Sequence, residues 1–307
     1  MKPAFIRVAC AAYVLIFLVY LFLPLAVMTV SAFNTPAYPR ALPFERFTLE
    51  WFMRLAQDDA MLYGFRNSLW IGMLVVLVAV PIGLAGAVVM QQVHPRLRSL
   101  YYVLTVAPIL VPGVIIGIST VIFWREISIW AGTRNFYNGV LLTVLGQSSF
   151  ISAYCMLLFT ARLQRFDRAL EDAAYDLGAT HTQVFLQILL PYLRPAILSA
   201  AVLAFLSSFE NYNTTTFAIL SDQTLTTVLA GQVRQGTTPA VSALAVVIIA
   251  VTLLAMLSAE LLRHRGLVWS MVRSRIGAVR SAARPAAGTI VGMQQANAVG
   301  LYGPRED

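Results

Sequence analysis

Six long runs of apolar residues, separated by short polar segments, dominate the chain. A helix needs about 20 mostly apolar residues to cross the hydrocarbon core of a bilayer. The runs that reach this length cover residues 8–32, 66–90, 101–124, 139–161, 195–218 and 240–262. The pattern therefore predicts an all-α integral membrane protein with six transmembrane helices.

Composition agrees with a membrane protein and narrows the chemistry. Hydrophobic residues make up 59% of the chain and charged residues 12%, and the mean hydropathy is +0.74. Soluble domains contain about twice that share of charge. The two cysteines, Cys10 and Cys155, fall within or beside spans without metal-ligand spacing. We expect no disulfide, metal or cofactor. We expect the first span to be an uncleaved anchor, because its apolar run of about 25 residues exceeds that of a signal peptide.

Arginine and lysine positions predict the orientation of the spans. With both termini in the cytoplasm, fifteen of these residues lie on the inner side and seven on the outer side. Cytoplasmic loops carry the excess of positive charge in membrane proteins. The N-in, C-in orientation is therefore favoured, and the net charge of +8 reflects this bias and a basic tail. No aromatic or glycine-rich motif points to nucleic acid.

The predicted outer loop after the first span contains three prolines and then a short apolar pattern. Pro36, Pro39 and Pro43 make residues 33–47 irregular. Thr48 is placed to cap a helix over residues 49–56, with Leu49, Phe52, Met53 and Ala56 on one face. This helix either lies along the outer interface or packs as an ordinary loop helix.

A polar helix-turn-helix interrupts the apolar pattern between the fourth and fifth spans. Asp167 is placed to cap a helix from Arg168, and Gly178 suits the left-handed position that ends a helix. Thr180 and Gln183 predict a capping box for a second helix, which Pro191 should end. Such a bent element between membrane spans indicates a partner outside the membrane. The alternative is an amphipathic interfacial loop that has no partner.

The residues of this segment resemble the EAA signature of binding-protein-dependent ABC importer permeases. Asp172-Ala173-Ala174 is followed by three variable residues, Gly178, nine further residues and Ile188-x-Leu190-Pro191. Asp172 stands where the family commonly has Glu, and Glu171 precedes it. Further similarity covers residues 45–262 and is greatest to spermidine/putrescine-type permeases. The positions that carry it are Asn67-Ser68-Leu69, Pro108, Pro112-Gly113, Ala161-Arg162-Leu163 and Phe166-Asp167.

The resemblance implies a MetI-like permease fold in the bacterial inner membrane and a set of partners. The segment containing Glu171, Asp172, Ala173, Ala174, Gly178, Ile188, Leu190 and Pro191 would be the coupling helix that docks on the ATPase. Two ATPase subunits, a periplasmic solute-binding protein and a second homologous permease are expected, as a heterodimer or alternatively a homodimer. We divide the chain into an anchor and loop (1–63), a permease core (64–262) and a basic tail (263–307).

The lysine content excludes an ATPase within this chain. A Walker A loop requires a lysine that reaches the β- and γ-phosphates. The only lysine is Lys2, so the chain is expected to be a non-catalytic transport subunit whose ATP hydrolysis occurs in another polypeptide.

A polar stretch in the predicted fifth span is the candidate substrate pathway. Glu210 lies 16 residues beyond Arg194, roughly 24 Å along a helix, in the outer half of the bilayer. Asn211, Tyr212 and Asn213 follow it, and the polyamine-type permeases commonly carry acidic residues at this point. Pro108 and Pro112 predict a bent third span, which either lines the pathway or only packs against neighbouring helices. The Gly113-x-x-x-Gly117 spacing leaves the same two alternatives. Glu210 alternatively lies in water at a frayed helix end or contacts the partner permease, and Glu260 is expected to be structural.

Other functions stay open at this stage. The importer could carry a small solute other than a polyamine, or the chain could be an ion-coupled secondary carrier. The carrier is less favoured because His94, His181 and His264 all lie in predicted cytoplasmic segments. A passive channel would not require the coupling segment, and no metal cluster, nucleophile motif or paired intramembrane carboxylates indicate an enzyme.

Overall fold

The computed structural model describes residues 3–236, 238–254 and 257. This part of the chain is helical and contains one isolated β-bridge, between Asn34 and Phe47. The helices are α1 (Pro3–Ala32), α2 (Glu50–Ala56), α3 (Asp59–Gln92), α4 (Pro95–Leu110), α5 (Gly113–Trp130), α6 (Gly139–Leu163), α7 (Ala169–Asp176), α8 (His181–Val184) with a π-helix at Phe185–Leu189, α9 (Leu190–Phe209), α10 (Thr215–Ala218), α11 (Leu225–Gln235) and α12 (Pro239–Leu254).

Five helical segments are long and apolar enough to cross a membrane. They are Arg7–Ala32, Asp59–Gln92, Gly113–Trp130, Gly139–Leu163 and His181–Phe209. The sixth predicted span, 240–262, begins within α12 and extends past the described residues. Glu260 and the tail 263–307 also lie outside the described residues. The compact units Met1–Leu244 and Ala245–Asp307 divide within α12, and the described residues of the second unit are helical.

The core is formed by α3, α6 and α9, which pack against one another. The buried face of α9 presents a small residue every fourth position. This spacing places the residues on one face of a helix and lets neighbouring backbones approach closely. The buried small residues of α9 are Ala196, Ala200, Ala204 and Ser208, and the larger core side chains include Ile71, Val75, Ile151, Phe159 and Leu193.

The third predicted span is two helices rather than one kinked helix, so the continuous 101–124 helix was wrong. Helix α4 ends at Leu110, and α5 begins at Gly113. Val111 between them is extended, with φ −79° and ψ 128°, because the proline ring of Pro112 disfavours the helical conformation of the residue before it. Pro108 is accommodated inside α4.

Helix α5 continues to Trp130, six residues past the predicted end of the span. The pair Arg125-Glu126, which reads as polar loop in the sequence, therefore lies within a helix that is long enough to cross the membrane.

The loop after α1 is organised around the buried side chain of Asn34. Its amide nitrogen donates to the carbonyl oxygens of Arg40 at 2.9 Å and Pro43 at 3.3 Å. Its side-chain oxygen accepts from the Glu45 backbone amide at 2.9 Å, and the backbone carbonyl of Asn34 accepts from the Trp51 indole N–H at 2.7 Å. The predicted irregular loop is confirmed, and Asn34 satisfies several of its backbone groups in place of regular structure.

The short helix after this loop begins at Glu50, one residue later than predicted, and its packing differs from the expected face. The Thr48 hydroxyl accepts from the Glu50 amide at 3.2 Å. Trp51 is buried, whereas Leu49 and Met53 are exposed. The helix is held by its tryptophan, because that side chain combines a large apolar body with the hydrogen bond to Asn34.

Substitution of Gly83 by alanine should destabilise the core. A Cβ there would lie 2.5 Å from the Cys155 Cβ and 2.7 Å from the Ser152 carbonyl oxygen. Overpacking of this kind costs about 1–3 kcal/mol. We expect the full-length Gly83→Ala protein in detergent to lose its monodisperse size-exclusion peak at a lower temperature than the unmodified protein. Gly231→Ala, whose added methyl meets open space, is the matched control and should not lower that temperature. Equal behaviour of the two variants would contradict the packing.

Candidate functional site

The coupling segment, residues 169–191, lies at one end of the bundle, beside the ends of α3 and α6. We call this the coupling end. Helix α7 begins at Ala169, one residue later than predicted, and the Asp167 carboxylate accepts from the Ala169 amide at 3.0 Å. Glu171 and Asp172 occupy the first turn of α7. Negative charge there is stabilised by the positive end of the helix dipole.

Gly178 ends α7 in the left-handed conformation, as the sequence predicts, with φ +84°. The Ala179 amide donates to the Ala174 carbonyl at 3.0 Å, and the Gly178 amide donates to the Tyr175 carbonyl at 2.9 Å. These two bonds form a Schellman motif, which satisfies the last carbonyls of the helix. The direction in which the chain leaves α7 is therefore set by backbone hydrogen bonds.

The second helix of the segment starts with the predicted capping box. The Thr180 amide donates to the Gln183 side-chain oxygen at 2.8 Å, and the Gln183 amide donates to the Thr180 hydroxyl at 3.4 Å. A side-chain contact closes the bend, because His181 Nδ1 lies 2.8 Å from the Tyr175 hydroxyl. The two short helices are thus tied together across Gly178.

The prediction that Pro191 ends this second helix was wrong. The chain continues from α8 through one π-helical turn into α9, and the Leu190 amide donates to Phe185, five residues back. Pro191 follows this turn directly, as the second residue of α9. The segment therefore connects to the core as one helical path from His181 to Phe209.

The two halves of the signature differ in exposure. Asp172 and Ala173 are exposed, and the Leu177 side chain next to the bend is 89% exposed. Ile188, Leu190 and Pro191 are half-buried, and their neighbours Val184, Leu189 and Leu193 are buried in the bundle. The first half is therefore a surface open to contact, and the second half is its attachment. Glu171 and Ala174 are half-buried between the two.

Three further contacts lie at the two ends of the segment. Arg168 donates to the Gln91 side-chain oxygen at 3.0 Å, which links α7 to the end of α3. The Arg162 guanidinium lies 4.4 Å from the centre of the Tyr192 ring, and Phe166 packs edge-on against that ring. Cation–π contacts are worth about 0.5–1 kcal/mol at exposed sites. Behind the segment lies a cavity of about 450 Å³, whose lining includes Glu171 and His181.

The predicted pathway residues lie at a second helix break rather than inside a continuous span. Helix α9 ends at Phe209, Glu210 is its exposed C-cap, and the chain resumes helix at Thr215. The predicted helix through residue 218 was therefore wrong. The Asn211 side-chain oxygen accepts from the Thr214 amide at 3.1 Å and stabilises the break. The Tyr212 hydroxyl accepts from Arg234 at 2.9 Å.

A buried polar network shows how deep this break lies. Gln147, 1% exposed, donates to the Thr215 hydroxyl at 2.7 Å and accepts from Ser208. Gln147 is eight residues inside α6, roughly 12 Å from the start of that helix. Glu210 therefore lies below the end of the bundle that is opposite the coupling end. Gln147 was missed by sequence reasoning, although Gln147-Ser148-Ser149 is a polar run within an apolar span and could have indicated it.

The two helix breaks lie against each other. A Cβ at Gly113 would lie 3.1 Å from the Asn213 Cβ, and one at Gly117 would lie 2.6 Å from the Thr214 carbonyl oxygen. Pro112, at the start of α5, and Asn213 are thus neighbours, and the two glycines provide the close approach. Pro108 instead lines a groove of about 630 Å³ between α4, α5 and α6, which residues 210–213 do not line.

The described residues include no group of three or more His, Cys, Asp or Glu side chains that could hold a metal ion. Residues 210–213 offer one exposed carboxylate, two side-chain amides and the Tyr212 hydroxyl. Glu210 makes no ion pair with another described residue.

Comparison with known proteins places this arrangement in a family. Residues 79–266 match the family described as "Binding-protein-dependent transport system inner membrane component". The putrescine transport system permease protein PotI of Escherichia coli (strain K12) is 30% identical over 236 residues, which cover 75% of this chain and 82% of that protein. The spermidine/putrescine transport system permease protein PotC of Haemophilus influenzae is 24% identical over 255 residues, which cover 83% of this chain and 96% of that protein.

Solved structures with the same fold include a bacterial ABC transporter involved in the import of the acidic polysaccharide alginate. One crystal structure of that transporter superposes on this chain with a TM-score of 0.64 at 18% identity, and the match covers 83% of this chain and 92% of that chain. A second, in complex with an alginate pentasaccharide-bound periplasmic protein, has a TM-score of 0.63 at 17% identity and covers 83% and 91%.

The family match extends over more than half of the chain, and the E. coli relative is covered over most of its length. This chain belongs to the binding-protein-dependent transport system inner membrane components, the permease subunits of ABC importers.

Proposed function

We propose that this permease carries polyamines, such as putrescine and spermidine, or similar small cations. Support comes from the relatives at 24–30% identity, which are putrescine and spermidine/putrescine permease proteins. Further support comes from the exposed carboxylate of Glu210 at a helix break. An organic cation that passes this point would be attracted by this carboxylate, which has no ion pair among the described residues. Tyr212 and the amides of Asn211 and Asn213 would supply further polar contacts along the same wall, with Pro108 and Pro112 shaping the helices beside it.

The proposed partners are two ATPase subunits, a second homologous permease and a periplasmic solute-binding protein. The exposed half of the coupling segment, with Asp172, Ala173 and Leu177, would dock on an ATPase subunit, and Glu171, Ala174 and Gly178 would set its shape. Ile188, Leu190 and Pro191 would transmit its movement along one helical path to the break at Glu210. Nucleotide binding would then favour one of two arrangements of the spans. The ATPase activity would reside entirely in the partner.

The proposed topology has six spans with both termini in the cytoplasm, so that the coupling end faces inward. The excess of positive residues on that side supports it. We retain the division into anchor and loop (1–63), permease core (64–262) and basic tail (263–307) as part of this proposal.

A permease for another small solute is the second candidate, because the neighbours in structure belong to an importer of an acidic polysaccharide. The same fold therefore accommodates a cargo of opposite charge. Broken helices also occur in ion-coupled carriers. Transport that persists without ATP and collapses with the ion gradient would favour the carrier.

The solute would be identified most simply through the solute-binding protein that we propose as a partner. Calorimetric titration with putrescine and spermidine should give micromolar or tighter binding, and an acidic oligosaccharide of similar size should give none. Binding of the acidic sugar instead of the polyamines would contradict the proposed cargo and leave the permease assignment intact.

Substitution of Gly178 by valine should uncouple the transporter. A β-branched residue resists positive φ, and non-glycine residues in this region cost about 1–3 kcal/mol. We expect less ATPase subunit to co-purify with the permease and ATP-driven uptake to fall, with normal membrane insertion. Gly178→Asn is the matched control, because asparagine tolerates the left-handed region. If valine and asparagine retained equal amounts of ATPase and equal uptake, the bend would not be the docking element.

Substitution of Glu210 by glutamine should slow the uptake of cations. Loss of one carboxylate about 4 Å from a cation removes roughly 1 kcal/mol in water-like surroundings, a factor of about five. The measurement is ATP-driven uptake of radiolabelled putrescine into proteoliposomes. Glu50→Gln is the control, because that exposed carboxylate in α2 already pairs with Arg54. Unchanged uptake and unchanged preference for cations in Glu210→Gln would remove Glu210 from the pathway.

A further inference from the structure

A small pocket with two arginines opens at the coupling end, beside the coupling segment. It has a volume of about 280 Å³ and lies between the end of α3, the start of α4 and the end of α6. Arg98 of α4 and Arg168 before α7 both line it, and its lining contains no carboxylate. The pocket is smaller than most sites for drug-sized ligands, which occupy about 300–1,000 Å³.

The two guanidinium groups converge on one residue. Arg168 donates to the Gln91 side-chain oxygen at 3.0 Å, and Arg98 donates to the Gln91 backbone carbonyl at 3.4 Å. Two like charges held on the same residue repel each other. Among the described residues neither arginine has an ion pair. Glu171 lines the neighbouring cavity with Arg168 but does not line this pocket.

The remaining lining suits a ligand that is anionic at one end and apolar at the other. The Thr160 hydroxyl oxygen is buried and has no hydrogen-bond partner among the described residues. Leu163 and Phe166 form an apolar wall beside it. Guanidinium groups bind phosphate oxygens in pairs, and basic pockets between membrane helices bind phosphate head groups.

We propose that Arg98, Arg168 and Thr160 form a binding site for a phosphate group, supplied by the head group of an anionic phospholipid or by free phosphate. The bound phosphate neutralises the charges of Arg98 and Arg168 and links the start of α4 to the residues that precede α7. The site adjoins the coupling segment, so its occupancy stabilises the attachment of that segment. This role is independent of which solute the permease carries.

The test uses the full-length chain in a neutral detergent at low ionic strength. Dihexanoylphosphatidylglycerol, inorganic phosphate and uncharged dihexanoylglycerol are titrated separately, and the rise in unfolding temperature gives an apparent Kd. The variants are Arg98→Gln, Arg98→Lys and Arg96→Gln. Arg96, which is exposed near the start of the same helix and does not line the pocket, is the matched control.

We expect phosphatidylglycerol to bind the unmodified chain and Arg96→Gln equally, and Arg98→Gln about tenfold or more weakly, since hydrogen bonds to charged groups are the strong ones. Arg98→Lys should fall between them. Protection by phosphatidylglycerol alone identifies a lipid, and equal protection by inorganic phosphate identifies the free anion. The proposal is overturned if Arg98→Gln and Arg96→Gln bind both anions alike, or if uncharged dihexanoylglycerol protects as well.

Discussion

Backbone hydrogen bonding inside the lipid is the constraint on which the rest of this structure depends. No water in the hydrocarbon core can satisfy an exposed N–H or C=O group, so a span must be helical unless neighbouring protein satisfies the interruption. The break at Val111-Pro112 lies against the break after Phe209. In the second break the Asn211 side chain accepts a hydrogen bond from the Thr214 backbone amide, and the Gln147 side chain donates to the Thr215 hydroxyl. The two interruptions are therefore packed side by side, and the second is stabilised by its own Asn211 side chain and by Gln147.

The same constraint explains how the coupling segment is joined to the core. At Pro191 the helix widens by one residue instead of ending, since the Leu190 amide bonds to Phe185. The segment is consequently continuous with α9, whose far end is the break at Glu210. A displacement of α7 at one end of the bundle thus has a single helical path to the candidate pathway. The contact of Arg168 with Gln91 attaches the start of the segment to α3, and the contact of Arg162 with Tyr192 joins α6 to α9.

Features set by local chemistry were predictable from the sequence, and those set by distant contacts were not. The positive φ of Gly178, the Thr180–Gln183 capping box and the apolar spans follow from neighbouring residues. A proline in a span predicts a disturbance of the helix but not its form. Pro108 lies inside the continuous helix α4, Pro112 separates α4 from α5, and Pro191 follows a π-turn in a helix that continues. Which outcome occurs depends on the packing around each proline. Gln147 bonds to residues 61 and 68 positions away, and no local pattern predicts those partners.

The central claim is that the bent segment transmits the work of a separate ATPase to the bundle. Its most direct test is uphill, ATP-driven uptake by a reconstituted transporter in which residues 169–180 are replaced by a Gly-Ser linker of equal length. Such a linker keeps the chain connected but has no fixed shape. The account predicts a permease that inserts in the membrane but supports no accumulation of solute. Accumulation at the rate of the unmodified transporter would contradict it.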